Sequence, residues 1–297
     1  MIISYFDDID NIFHIFNGEI YTIWNFTKEN INNFSILLKI NKNTNVNKWR
    51  IDMFRSVYKN VYINFIEDIN VKNEIKNTYI IKKFKWGFID SHTFKSYNKS
   101  FFYCSFVNKI KQYYNIEHNK INKVLLIIRG DNRNLYDYKS KELLSKILND
   151  KLTEINIPFE SVSFDNLTLY EQINYLKDVK ILISIHGAAL TNLIFLPKDS
   201  YVFEINFRTY WNCDPVCSKH KFNKISYTTK CDGKLSYKDY FHKADYHNLS
   251  QLFGKKYIEF DIEDANTFLT ENHISLKNIF VNSDILINKI NEIYTDI

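Results

Sequence analysis

The sequence predicts an α/β protein built on parallel sheets, and three observations carry that prediction. From residue 124 onward, short apolar runs of strand type alternate with helical stretches of roughly 10 to 15 residues, the pattern of parallel strands joined by helical crossovers. The length, 297 residues, suggests about two domains at ~150 residues each. A polar stretch at 115–123 divides a first α/β region (1–118) from a second (119–280), and a closing helix follows over 281–297. Hydrophobic content of 45% is enough for a core in each region.

In the first region, Ile2 to Phe6, Phe34 to Ile40, Val57 to Phe65 and Tyr79 to Lys83 read as strands. Helical spacing of Ile12, Phe16, Ile20 and Ile23 predicts a helix over Ile12 to Trp24. Lys48 to Met53 and Ser100 to Tyr114 are two more helical stretches, the latter with Phe102, Phe106 and Ile110 on one face. In the second region Val124 to Ile128 is a buried-type strand ending at Arg129-Gly130. Ser140 to Ile155 is an amphipathic helix, Phe159 to Phe164 a strand, and Thr168 to Val179 a helix opened by a Thr168/Glu171 capping-box spacing. Ile181 to Ile185 is the next strand, Ala188 to Phe195 a helix, and Tyr201 to Ile205 a strand. Beyond it, Tyr210 to Phe222 reads as a helix, Ile225 to Thr228 as a strand and 232–256 as irregular. Tyr257 to Asp261 reads as a strand, Glu263 to Thr270 as a helix, and Ser283 to Tyr294 as the closing helix.

Composition narrows the partners. Net charge is +5 and the pI about 8.7, with acids and bases interspersed, so no basic arm for nucleic acid stands out. An anionic small ligand suits this balance better. No apolar run approaches the ~20 residues of a membrane span. The first residues, MIISYFDDIDNIF, lack a basic segment followed by an apolar core, so a cytoplasmic protein is expected. Cys213-x3-Cys217 with His220 and Cys231 can be drawn as a zinc site, but the spacing is loose and scattered thiols are the simpler reading. The Asp8-Ile9-Asp10 pair is a weak match to a metal-holding motif. No metal site is expected.

The informative stretch is 181–205. A strand that turns at a glycine into a helix aims backbone N–H groups and a positive dipole end at whatever sits above the turn, a ready anion site. With only 6 Gly in 297 residues, Gly187 at such a turn carries weight. His186-Gly187-Ala188-Ala189 lets a ligand approach the backbone closely. Thr191 and Asn192 stand equally as capping groups or ligand groups. Arginine is scarce, at Arg50, Arg55, Arg129, Arg133 and Arg208, yet two of the five flank the turn after the first strand of the second region. Guanidinium groups suit phosphate oxygens; a surface ion pair to Asp131 or Asp137 is the plainer role. Glu204 ends the next strand, where a carboxylate can accept ribose hydroxyls or cap the following segment. Arg129, His186 and Glu204 thus all fall at carboxyl ends of strands, where open α/β sheets bind ligands.

At His186 to Ile205, HGAALTNLIFLPKDSYVFEI, the chain resembles glycosyltransferase family 61, which includes protein O-linked GlcNAc transferases and plant xylosyl- and arabinosyltransferases. The family pattern is a His-Gly-Ala-Gly-Leu-Thr-Asn run, a Phe-Leu-Pro, then a strand ending in Glu. YEQINYLKDVKILIS before it and Val124 to Arg133 also fit, and NIFHIFNGEI resembles the family's His-containing helix start. The resemblance implies a GT-B-like architecture, two Rossmann-like domains with a cleft between them. It implies an inverting, metal-independent transfer from a UDP-sugar, UDP-GlcNAc or UDP-xylose, to a hydroxyl of a glycan or protein acceptor. The UDP-sugar is a co-substrate, and no cofactor is implied. Carried over by residue, Arg129, Arg133 and His186, Gly187, Ala188, Ala189, Thr191 and Asn192 would hold the diphosphate, Glu204 the ribose. Ala189 replaces the second Gly of the pattern. Gly18 stands where the family has an Asp four residues after its His, so the catalytic base falls to Glu19 or to His14.

Two readings follow: an active glycosyltransferase, or a nucleotide-sugar-binding module that has lost turnover, for which Gly18 is the motive. A dehydrogenase is a third, and the missing Gly-x-Gly-x-x-Gly turn argues against it.

Overall fold

The computed structural model describes residues 2–4, 23, 33–38, 45–58, 60–65, 79–81, 97–117, 121–129, 134–206, 242–261, 264–269 and 274–295. The chain divides into two compact units, Met1–Glu117 with Asn166–Asn174, and His118–Asp165 with Tyr175–Ile297. Each is described by itself, with elements numbered in chain order.

The first unit holds strands β1 (Ile2–Ser4), β2 (Asn33–Leu38), β3 (Asn60–Phe65) and β4 (Tyr79–Ile81) and helices α1 (Asn45–Val57) and α2 (Tyr97–Tyr113). The strands form one sheet in the order β3-β2-β1-β4, every pair parallel. That order, counted 3-2-1-4, is the one a Rossmann half-sheet uses. Helix α1 extends beyond the predicted Lys48 to Met53 because Trp49, Met53 and Ser56, with Arg50 and Phe54, keep helical spacing on its buried face. Phe106, Val107 and Ile110 are the buried face of α2. Burial at the end of α2 pulls the Lys111 ammonium down to about 8. Of the helix expected over Ile12 to Trp24, only Ile23 is described; it is helical and fully buried. Also in this unit, helix α4 (Leu169–Leu176, reaching into the second unit) starts on the expected capping box. The Thr168 N–H and hydroxyl both donate to Glu171 Oε2 at 2.8 Å, and the Glu171 N–H returns to Thr168 Oγ1 at 3.3 Å.

The second unit is organised on a five-stranded parallel sheet made of β5 (Lys123–Ile128), β7 (Phe159–Ser163), β8 (Val179–Ile185), β9 (Tyr201–Asn206) and β10 (Lys256–Asp261). Their spatial order is β10-β9-β8-β5-β7. Counted along this sheet alone the order is 2-1-3-4-5, that of a doubly wound fold whose switch point lies between its first and third strands, here β5 and β8. One face packs on α3 (Leu144–Glu154) and α6 (Ser283–Thr295). Val124, Leu126, Ile181, Ile183, Ile185, Phe203 and Ile205 meet Leu144, Leu148, Leu152, Leu286, Ile290 and Ile293 there. Each fully buried aliphatic chain contributes about 1.5–3 kcal/mol. Because strand side chains alternate, Val202, Glu204 and Asn206 go to the opposite face. A second sheet, β11-β12-β6, comprises β11 (Asp264–Leu269), β12 (Ile274–Val281) and β6 (Asn134–Asp137).

Three expectations need correction. Residues 232–256 contain a helix, α5 (His242–Leu252), whose sparse apolar residues include the buried Tyr246 and Leu249. The helix expected over Glu263 to Thr270 is strand β11, paired antiparallel with β12. Residues 188–195 form a 3₁₀ helix (Ala188–Phe195) instead of an α-helix. The helix and strand expected within 210–228 lie outside the described residues.

Candidate functional site

Strand β8 is buried at every residue but Lys180, and its backbone continues to bond one residue past the strand, where the His186 N–H donates to Ile205 O at 2.8 Å. Gly187 then takes φ 154° and ψ 176°, a conformation open essentially to glycine alone. The turn therefore needs Gly187 for its geometry. The 3₁₀ helix starts with the Leu190 N–H on Gly187 O at 3.0 Å, and no side chain caps it. By 3₁₀ geometry the Ala188 and Ala189 N–H groups have no acceptor within the helix, so both point outward from its positive end. Leu190 to Phe195 are all buried, which locks this short helix in place by packing.

Its far end is held by a buried cation. The Lys255 ammonium, in a residue 8% exposed, donates to Leu196 O at 2.9 Å and Pro197 O at 2.6 Å. An ammonium on the last carbonyls completes the bonding that a helix end leaves open and matches its negative pole. Ser200 Oγ donates to Val179 O at 2.8 Å, tying the start of β9 to the start of β8.

At the carboxyl ends of the strands, His186 and Glu204 meet. His186 Nδ1 is hydrogen-bonded to Glu204 Oε1, and the Tyr257 hydroxyl donates to Glu204 Oε2. Glu204 is 0% exposed, while the His186 side chain keeps 13%. The edge-on ring of Tyr246 from α5 lies 5.4 Å from the imidazole centroid, and His247 lies edge-on to Tyr257 at 5.2 Å. The carboxylate has no exposed surface, and each of its oxygens takes part in a hydrogen bond.

Thr191 and Asn192 are 0% and 1% exposed. The Asn192 amide donates to Ala189 O at 3.2 Å, but Thr191 Oγ1 and Asn192 Oδ1 have no hydrogen-bond partner. The same holds for Asn206 Nδ2 at the end of β9 and for Ser250 Oγ on α5, which packs on the 3₁₀ helix. Buried polar atoms without partners are few in folded proteins, and these belong to elements around one turn. Thr191 does not act as a cap. Arg129 follows β5 directly and is half-buried. The parallel register pairs Ile127 with Ser184, so two residues on Arg129 and His186 leave their strands at corresponding levels, on either side of the switch point. Arg133, His14 and Glu19 lie outside the described residues.

Sequence reasoning missed Tyr257, Tyr246 and Lys255. Their sequence signals are ordinary; only the strand order brings Tyr257 beside Glu204. In the described residues no group of His, Cys, Asp and Glu has metal-site geometry, and no described helix is long and apolar enough to cross a membrane.

Residues 54–203, just over half of the chain, match glycosyltransferase family 61. The chain belongs to that family. A stretch of 80 residues is 38% identical to the EGF domain-specific O-linked N-acetylglucosamine transferase of Drosophila melanogaster, covering 26% of this chain and 14% of that protein's length. The family 61 match takes in Arg129, Arg133 and the whole 186–192 turn and ends one residue before Glu204; His14 and Glu19 precede it.

Proposed function

We propose that this family 61 member is a glycosyltransferase whose second unit binds a UDP-sugar at the β5/β8 switch point. The observation that carries the proposal is the Gly187 turn at the carboxyl edge of the parallel sheet, with His186 on one side and Arg129 leaving the neighbouring strand. Arg129, with Arg133 carried over from the family resemblance, would pair with diphosphate oxygens. The N–H groups of Ala188 and Ala189, with the side chains of Thr191 and Asn192, add donors and acceptors at the same turn. A helix end contributes about 0.3–1 kcal/mol for an anion.

Transfer with inversion needs the acceptor oxygen to attack the anomeric carbon on the face opposite the UDP. A base takes the acceptor's proton while fixed positive charge stabilises the leaving diphosphate. In this reading Arg129, Arg133 and the turn supply that charge without a divalent metal. His14 or Glu19 takes the proton from a glycan or protein hydroxyl. UDP-GlcNAc is the first donor to try, since the Drosophila relative is named for N-acetylglucosamine transfer; UDP-xylose is the second.

The test is calorimetric titration of the whole chain with UDP, with EDTA and then with Mn²⁺, followed by a screen of UDP-sugars for slow hydrolysis. Micromolar binding indifferent to metal and lost in Arg129→Ala is the expected result. Absence of UDP binding would remove the proposal. Gly18 favours the second reading, a binding module without turnover. Glu19→Gln and His14→Ala separate the two: an active enzyme loses turnover in one of them and keeps its UDP affinity.

A further inference from the structure

The buried carboxylate at the end of β9 has work other than touching a ligand. Glu204 sits inside a parallel sheet, with Ser184 of β8 directly beside it on one side and Glu259 of β10 on the other. A carboxylate in such a place is costly unless its oxygens are bonded, and a second carboxylate in register adds to the cost. Tyr257 from β10 bonds Oε2, and His186 bonds Oε1 through Nδ1. His186 is the residue that opens the Gly187 turn. Its backbone is fixed by the bond to Ile205, and Tyr246 stands edge-on to its ring.

We propose that Glu204 is a positioning residue for His186. By accepting from Nδ1–H, the carboxylate fixes the plane of the ring, and its negative charge favours the doubly protonated imidazolium. The other nitrogen, as Nε2–H, is then a charged donor of the kind a diphosphate oxygen accepts. A ring nitrogen's role is set by the bond the other nitrogen makes. Tyr257 anchors the carboxylate in turn, so the order of support runs from β10 through β9 to the end of β8. This rests on the reading that the turn takes a nucleotide diphosphate, and it replaces ribose binding as the role of Glu204.

The first measurement needs no ligand. The full chain, labelled with ¹⁵N-histidine, gives the protonation pattern of the His186 ring, assigned with the His186→Ala variant. The expected result at neutral pH is a proton on both ring nitrogens in the native protein and in Tyr257→Phe, and a ring carrying one proton in Glu204→Gln. If Glu204→Gln does not fold, Glu204→Asp, one methylene shorter, serves with the same expectation. An unchanged ring in the Glu204 variant overturns the proposal.

The second measurement is titration with UDP and with uridine. Glu204→Gln should weaken UDP about fivefold to tenfold, the size of one lost oriented hydrogen bond. It should leave uridine unchanged, and added to His186→Ala it should cost nothing further beyond twofold. Equal weakening of uridine and UDP would return Glu204 to the ribose, and multiplicative effects of the two substitutions would make it independent of His186; either result overturns the proposal. If the native chain binds no UDP, the nucleotide reading fails by itself, and the ligand-free ring spectrum still decides whether Glu204 positions His186.

Discussion

Asp137 at the end of β6 is a second buried carboxylate, and its contribution to folding can be worked out. Oδ2 accepts the N–H groups of Lys139 at 3.1 Å and Ser140 at 2.7 Å, and the Ser140 hydroxyl at 2.9 Å. Oδ1 accepts the Ser283 N–H at 3.2 Å and its hydroxyl at 2.6 Å. Asp137 thus ties the turn after β6 to the first residue of α6, where a negative charge also suits the helix dipole. Burial alone would raise this carboxyl, but the bonds from Ser140 and Ser283 outweigh it and bring it down to about 2. The folded-state value lies below the unfolded one of about 3.9. The stabilisation is therefore complete above the unfolded value and is lost as pH falls from about 4 toward 2. A shift of nearly two units corresponds to at most about 2.5 kcal/mol. The exposed turn residues 138–140 bring solvent to one side, so about 1–2 kcal/mol is expected.

Asp137→Asn turns an amide donor toward two N–H groups and a hydroxyl, and a loss of about 2–4 kcal/mol at neutral pH is expected from the unmade bonds. Urea denaturation of both proteins across the acid range checks it. The gap between them should hold steady above about pH 5 and narrow on approach to about pH 3. A gap under about 0.5 kcal/mol at neutral pH, or one that does not narrow with acid, would refute the account.

Lys255→Met takes the ammonium away from Leu196 O and Pro197 O, the latter keeping the Ser200 N–H at 3.4 Å, and should cost about 1–3 kcal/mol in urea denaturation; unchanged stability would mean the ammonium is not needed there. Gly187→Ala forces an unfavourable φ, at about 1–3 kcal/mol, and should weaken UDP binding in titration; native affinity would show that the turn tolerates a side chain. Thr168→Ala opens the capping box of α4 at about 1 kcal/mol, read as a lowered denaturation midpoint with UDP affinity unchanged.

How legible the chain was depends on the element. The β8 turn could be read because an apolar run of strand length meets a rare glycine. The 3₁₀ geometry after it could not, since AALTNLIF carries no one-sided pattern from which to tell one helix type from another. Ala265, Phe268 and Leu269 fit helical spacing, yet β11 forms because β12 offers an edge to pair with. Helix α5 was hidden by its polar composition and is placed by Tyr246 and Leu249 going inside.

The sequence by itself determined the α/β alternation of the second region, the glycine turn at residue 187 and the family. Those are local properties: periodicity, a glycine turn, a run of residue types. The tertiary structure decided the strand order, and with it the switch point between β5 and β8. It also decided the partner of Glu204, because Tyr257 and His186 are joined to that carboxylate only across neighbouring strands. Strand order comes from pairings between residues far apart in the chain, and no local pattern of side chains encodes which strand lies beside which.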